Sequence, residues 1–319
     1  MSPLPALPAV DGVEVTTIMD NSFDLLMGSS AVARRFPLRQ DIFERPQLRA
    51  EHGASTLITV VNQGKRETIL FDTGVTPDGA LHNIDVLDIH LNEIQAIVLS
   101  HGHADHTRGM DGFLDRLGKR RLPILLHPDA FLKRRLVLAD DKMLDMPPPS
   151  LRDLEREGIE LLVERGPSFL VNGTVLVTGQ VERTTDFETG MKNQQAEIDG
   201  EWQPDPWVYD DQAIVINVRG KGLVVITGCG HAGVVNILRH ARAQTGIEQI
   251  YAVIGGFHLT GPAFEPIIPQ TIAALQQLNP AVVVPAHCTG WRATHGIARA
   301  MPDAFIPNSV GTTYVLMSE

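Results

Sequence analysis

The chain has 319 residues, 43% of them hydrophobic and 20% charged, enough apolar mass for a sizeable core, arranged as one large domain over 1–319 or as two small ones. Asp plus Glu number 38 against 27 Lys plus Arg, a formal charge of −11, which argues against a polyanion partner because neutralising phosphates needs clustered cations. No apolar run approaches the roughly 20 residues that span a bilayer, and two cysteines, Cys229 and Cys288, cannot build a disulfide scaffold. Met1 to Val15 also lacks the basic start and apolar stretch of a secretory signal. The expectation is therefore a cytoplasmic protein with neither nucleic acid nor membrane as partner; a homo-oligomer is compatible with this composition.

In chain order, β-branched runs predict strands at Val13–Met19, Ser55–Val61, Thr68–Phe71, Ala96–Leu99, Ile124–Leu126 and Thr174–Val177. A second set follows at Ala213–Val218, Leu223–Thr227, Tyr251–Ile254, Val282–Val284 and Thr312–Leu316. Helical spacing appears at Val234, Val235, Ile237, Leu238 and Ala241. It returns at Ile272, Ala273, Leu275 and Leu278, ending before Asn279-Pro280. This alternation predicts a layered α/β or α+β fold, and the early and late strand groups suit two packed sheets better than one doubly wound sheet. Two stretches break the rhythm. Met146-Pro147-Pro148-Pro149-Ser150 is stiff punctuation. Residues 182–211 form a long polar stretch containing Trp202 and Trp207, read as a substrate lid or insertion loop, with an interface arm as the alternative.

The strongest chemical signal is Ser100-His101-Gly102-His103-Ala104-Asp105-His106-Thr107, directly after the strand Ala96–Leu99. Residues two apart in extended chain project to one side, so His101 and His103 can grip one ion together. Asp105 and His106 follow as the chain turns and can face a second. Imidazole nitrogen with carboxylate oxygen suits Zn first, and also Mn, Fe or Ni.

The run His101-Gly102-His103-Ala104-Asp105-His106 resembles the HxHxDH signature of the metallo-β-lactamase superfamily. Phe71-Asp72-Thr73-Gly74 matches the family's Asp-Thr-Gly, and His287 in Val284-Pro285-Ala286-His287 stands where the family keeps its last metal histidine. The resemblance implies an αββα four-layer sandwich with a dinuclear site at one edge. A narrower set comprises Glu51-His52-Gly53, Thr178-Gly179-Gln180, Gly228-Cys229-Gly230-His231, Gly255-Gly256-Phe257-His258 and His287-Cys288-Thr289-Gly290. It is similar to the branch named for dihydropterin–ribofuranosylaminobenzene phosphate synthase, which implies C–N bond formation between a pterin and an arylamine. The chain departs from the superfamily pattern twice. No histidine stands near Thr178-Gly179-Gln180, and Thr227-Gly228-Cys229 replaces the usual Thr-Gly-Asp that supplies the bridging carboxylate. His231 is accordingly expected to supply the third imidazole. Cys229 is either a ligand or a small buried thiol.

Asp72 is expected to orient His101 or His103 through the second ring nitrogen. His258 is read as a further ligand or a proton carrier, and His52 as facing the same cleft. Trp202, Trp207 and Phe257 are candidate substrate walls, and Arg183 and Arg292 candidate partners for an anionic group. The free N–H groups of Gly230-His231-Ala232-Gly233, opening a helix, are another anion candidate. His82, His90, His127, His240 and His295 lack comparable context and read as ordinary surface or core histidines. The expected function is a metal-dependent hydrolase acting on a small ester, lactone or phosphate-type substrate, with Asp105 taking a proton from water. The alternatives are a synthase-like transferase displacing pyrophosphate and a non-catalytic metal-binding sensor.

Overall fold

Strands whose two faces are both apolar must be covered on both faces, and the sheets of this chain are. The computed structural model describes residues 4–118, 121–138, 140, 142–150 and 154–319. One sheet of eight strands runs in the order Ile159–Val163, Leu122–Leu126, Ile94–Val98, Lys65–Phe71, Ser55–Asn62, Gly12–Met19, Thr313–Met317, Ala33–Arg34. The second follows Ser168–Leu170, Val175–Val177, Ala213–Val218, Gly222–Thr227, Ile250–Gly256 and Val282–Ala286, with Ala9–Val10 pairing in parallel on Ala213–Val218. The early and late grouping expected from sequence holds with two exceptions: Val175–Val177, expected among the early strands, pairs with Ala213–Val218 in the second sheet, and the last strand returns to the first.

Period-two alternation sorts side chains between layers. Ile214, Ile216, Val224, Ile226 and Ile254 point between the sheets and meet Val13, Val15, Ile58, Ile69 and Val98. Their alternates Val215, Val225 and Val253 pack outward on the helices Val234–Thr245, Ile268–Leu278 and Trp291–Ala300. On the other outer face, Leu57, Leu70 and Ile97 pack on Ile84 and Phe113 of the helices Gly79–Val86 and Met110–Leu117. The result is helix, sheet, sheet, helix. The helix Ile268–Leu278 stops where expected, at a left-handed Asn279 ahead of Pro280. Among the described residues no helix is long and apolar enough to cross a membrane.

Residues 182–211, expected as a lid or insertion loop, contain regular strands. Gln194–Ile198 and Glu201–Pro204 form a hairpin, and Gln194–Ile198 also pairs antiparallel with Arg134–Val137, which pairs with Met143–Met146. The stretch is polar because it belongs to a small third sheet, where backbone pairing rather than deep apolar burial holds it.

The topology gathers loops at one edge. Lys65–Phe71 and Ile94–Val98 are parallel in the first sheet, and Gly222–Thr227, Ile250–Gly256 and Val282–Ala286 are parallel in the second. Their C-terminal ends lead into Asp72, His101–His106, Cys229–His231, His258 and His287. Close approach of these ends depends on glycine: a Cβ on Gly228 would lie 2.1 Å from Ser100 Oγ, and one on Gly102 would lie 2.2 Å from the Ala130 carbonyl oxygen.

Candidate metal centre

The histidines meet at that edge. The His101 ring centroid lies 4.5 Å from His103, 4.3 Å from His106 and 4.7 Å from His231. His231 lies 4.7 Å from His103 and 4.1 Å from His258, and His106 lies 5.0 Å from His287. Donor atoms from Asp105, His106, Cys229 and His287 fall within 4.8 Å of one another, as do those of His101, Cys229 and His231. A further overlapping group is Cys229, His258 and Cys288. Cys229 is common to all three, where the sequence pattern lacks its carboxylate.

Hydrogen bonds behind the rings decide which nitrogen faces inward. Asp72, buried at a left-handed φ of 62°, accepts from the Ser100 N–H and hydroxyl, each at 2.7 Å, and from His106 Nδ1 at 2.7 Å. His106 Nε2 is thereby left toward Cys229 Sγ, 3.2 Å away. Since the Ser100 hydroxyl donates to Asp72, its oxygen accepts from His101 Nδ1 at 2.9 Å, which frees His101 Nε2. Asp72 therefore reaches His106 directly and His101 through Ser100. It does not touch His103, which has a separate brace. The Gln194 amide nitrogen donates to Asp205, so its oxygen accepts from His103 Nε2 at 2.9 Å, leaving Nδ1 with the lone pair.

These donors fit a divalent cation on their own evidence. His101 Nε2, both ring nitrogens of His231 and Nδ1 of His258 are buried at this cluster without a hydrogen-bond partner. Such orphaned atoms are costly unless something satisfies them. Burial, with neighbouring positive charge, holds His101 and His231 well below the usual imidazole range and takes His103 down to about 4. They are neutral, as ligands must be. His106 goes the other way: burial disfavours its charge, but Asp105 and Asp72 outweigh that and raise it to about 9. For Asp105, burial also opposes ionisation, yet His106, His287 and His103 hold its carboxyl well below the ordinary range. Burial likewise disfavours the charged form of His287, but its hydrogen bond to Asp105 outweighs that and raises it. The site thus pairs three neutral imidazoles, His101, His103 and His231, with an ion-paired group of Asp105, His106 and His287, whose imidazoles would release their protons to a binding cation.

Other expected site residues fall at the rim or away from it. His52 is exposed, with Nε2 3.7 Å from Asp105 and its ring stacked on His287 at 5.0 Å. His258 has a left-handed φ of 43° and packs against Phe264. Arg183 donates to the carbonyls of Val181, Trp207 and Val208, fastening the 182–211 segment and not facing the histidines. Trp207 serves there as a carbonyl acceptor, and Trp202 lies in the outer hairpin under Arg135. Arg292 is exposed and pairs with Glu265 at 2.9 Å. The N-terminus of the helix Val234–Thr245 is also taken: buried Glu188 accepts from the Val235 and Asn236 N–H groups at 2.9 Å each, and Asp211 accepts from Ala232 N–H at 2.8 Å. An anion there would meet two carboxylates.

Sequence reasoning missed Ser100, Gln194, Glu188 and the buried Arg134–Asp205–Asp210 set. Arg134 Nε donates to Asp205 at 2.8 Å and its NH2 group to Asp210 at 2.6 Å, while Asp210 accepts from Gly102 N–H at 2.7 Å. Only Ser100, adjoining His101, carried any local signal.

A family model described as the metallo-beta-lactamase superfamily matches residues 49–243. Over 255 residues, 76% of this chain and 83% of the relative, the chain is 33% identical to 7,8-dihydropterin-6-methyl-4-(β-D-ribofuranosyl)-aminobenzene-5′-phosphate synthase of Methanocaldococcus jannaschii. It is also 29% identical over 251 residues to an uncharacterized protein of that organism, covering 76% of this chain and 86% of the relative. Among solved structures, Tm1679, described as a metal-dependent hydrolase of the β-lactamase superfamily, is similar with a TM-score of 0.73 at 23% identity, over 96% of this chain and 100% of that one. YhfI of Bacillus subtilis, a metallo-β-lactamase fold protein, gives 0.51 at 14% identity, over 95% and 99%. With the four layers, the edge of converging histidines and these matches in agreement, the chain belongs to the metallo-β-lactamase superfamily.

Proposed function

We propose that the chain is a metal-dependent hydrolase with a two-ion centre acting on a small ester, lactone or phosphate-type substrate. The observation that carries this reading is the cluster of buried, unpartnered ring nitrogens beside an ionised Asp105. His101, His103 and His231 would hold one ion and Asp105, His106 and His287 the other, with Cys229 the donor shared between them. When bound, two divalent ions, Zn by donor chemistry with Mn, Fe or Ni as alternatives, supply Lewis acidity and bring deprotonation of water toward neutral pH. Asp105, partly exposed at the mouth, is the group that accepts the proton. His258, whose buried Nδ1 has no hydrogen-bond partner, stands beside His231 and is read as a proton-transfer residue.

The synthase-like reading draws its support from the 33% identical relative. It calls for holding a departing pyrophosphate. Arg183 and the helix N-terminus are already engaged within the protein, and exposed Arg292 is held only by a surface pair with Glu265, which bears equally on hydrolysis of a phosphate-type substrate. The deciding experiment is metal analysis followed by a panel of esters, lactones, phosphodiesters and a pterin pyrophosphate with an arylamine. Hydrolysis abolished by chelation and restored by Zn is the expected result. Turnover of the pterin pair alone would transfer the chain to the synthase class, and no metal-dependent turnover on any substrate would favour a sensor.

The shared sulfur makes a separate prediction. Cobalt-substituted protein should show sulfur-to-cobalt charge transfer in the near ultraviolet, and Cys229→Ser should abolish it and weaken metal uptake by at least about tenfold. An unchanged spectrum in Cys229→Ser would return Cys229 to the role of a buried thiol.

A further inference from the structure

His287 is held in an unfavourable backbone conformation by residues from the opposite sheet. Its φ is 47°, a region that non-glycine residues occupy only when their surroundings over-determine it. Asp20, just past the strand Gly12–Met19, accepts from the His287 N–H at 2.9 Å, and the neighbouring Asn21 side-chain amide donates to the His287 carbonyl at 2.9 Å. Both sides of one residue's peptide frame are thus gripped by a single turn. That grip aims His287 Nε2 at Asp105, 3.2 Å away.

Asp20 is itself buried and fixed from behind. Its other oxygen accepts from the Asn308 side-chain amide. Asn308 cannot turn around without disturbing its own acceptor oxygen, which takes the Thr17 hydroxyl at 2.8 Å and the buried Tyr314 hydroxyl at 2.6 Å. The chain of contacts runs from Tyr314 in the first sheet through Asn308 and Asp20 to His287 at the end of a strand of the second. His287 follows a strand of one sheet, and its neighbours Asp105 and His106 lie in the short helix Ala104–Thr107 that follows a strand of the other. A bond across the sheets is therefore what fixes their separation.

We propose that Asp20 is the positioning residue of the second ion: it holds His287 in its left-handed conformation across the sheet boundary, so that the ion held by Asp105, His106 and His287 depends on it while the ion held by His101, His103 and His231 does not. This assignment rests on the two-ion reading above.

The test is competitive zinc titration with stoichiometry by elemental analysis. In Asp20→Ala one of two ions should bind about 10- to 100-fold more weakly, the range seen when an outer hydrogen bond to a metal site is removed, and the other should be unchanged. Asn21→Ala, at an exposed position, should weaken the same ion. The exchanged pair Asp20→Asn with Asn308→Asp keeps an acceptor for the His287 N–H and a carboxylate for the Thr17 and Tyr314 hydroxyls, and should restore it even if Asp20→Ala folds poorly. In a His287→Ala background, Asp20→Ala should have no additional effect on zinc affinity. Two ions bound at wild-type affinity in Asp20→Ala and Asn21→Ala would overturn the assignment alone. A wild-type chain that takes up fewer than two ions would overturn the two-ion reading and this assignment with it.

Discussion

Asp105→Asn should lower turnover by roughly 10³-fold, release at least one ion and leave a folded protein. The side chain is 22% exposed, and an amide of equal size keeps its packing. What is lost is charge. The carboxylate lies 3.2 Å from His287 Nε2 and 3.7 Å from the Nε2 atoms of both His106 and His52. A neutral amide of equal size keeps the shape but neither anchors a cation beside those imidazoles nor accepts a proton. His103→Ala attacks the other half of the site and should also remove activity and an ion. Turnover, metal content and circular dichroism measured together check both. Unchanged turnover in both variants would remove these residues from the mechanism.

The second large effect is on stability. Arg134→Leu is expected to cost about 3–5 kcal/mol, because breaking a buried ion pair from one side strands the other charge. Here two carboxylates are stranded, since Arg134 is 2% exposed and pairs with both Asp205 and Asp210. Asp210 also accepts the Gly102 N–H, and Asp205 fixes the amide of Gln194 that braces His103. The damage should therefore reach metal affinity as well as unfolding. Chemical denaturation of Arg134→Leu, repeated with Asp205→Asn and Asp210→Asn added, separates the terms: the loss should shrink markedly once the stranded charges are gone. An equal loss in both backgrounds would mean that the guanidinium contributes by packing and not by pairing.

Much of the frame was legible because it is local. Alternation in Ala213–Val218 and Gly222–Thr227 is set by neighbouring residues along the strand, and the helix stop at Asn279-Pro280 by the backbone chemistry of two residues. The run from His101 to His106 made the cluster of imidazoles legible because its donors are crowded within six residues, and the convergence of His231 and His287 on it was legible through their strand-end motifs. The strands within 182–211 were not legible, for a physical reason. A hairpin held mainly by backbone pairing to Arg134–Val137 has no apolar period to read.

What the sequence by itself determined, then, is the layered fold and the identity of the central imidazoles, both encoded by short-range pattern. The tertiary structure alone decided which nitrogen of each ring faces inward and which nearby cations and helix ends are already engaged. Those outcomes depend on partners far away in the chain: Gln194 for His103, Asp20 for His287, Glu188 for the helix after His231. A hydrogen bond is chosen by proximity in space, and proximity between distant segments exists only once the two sheets have packed.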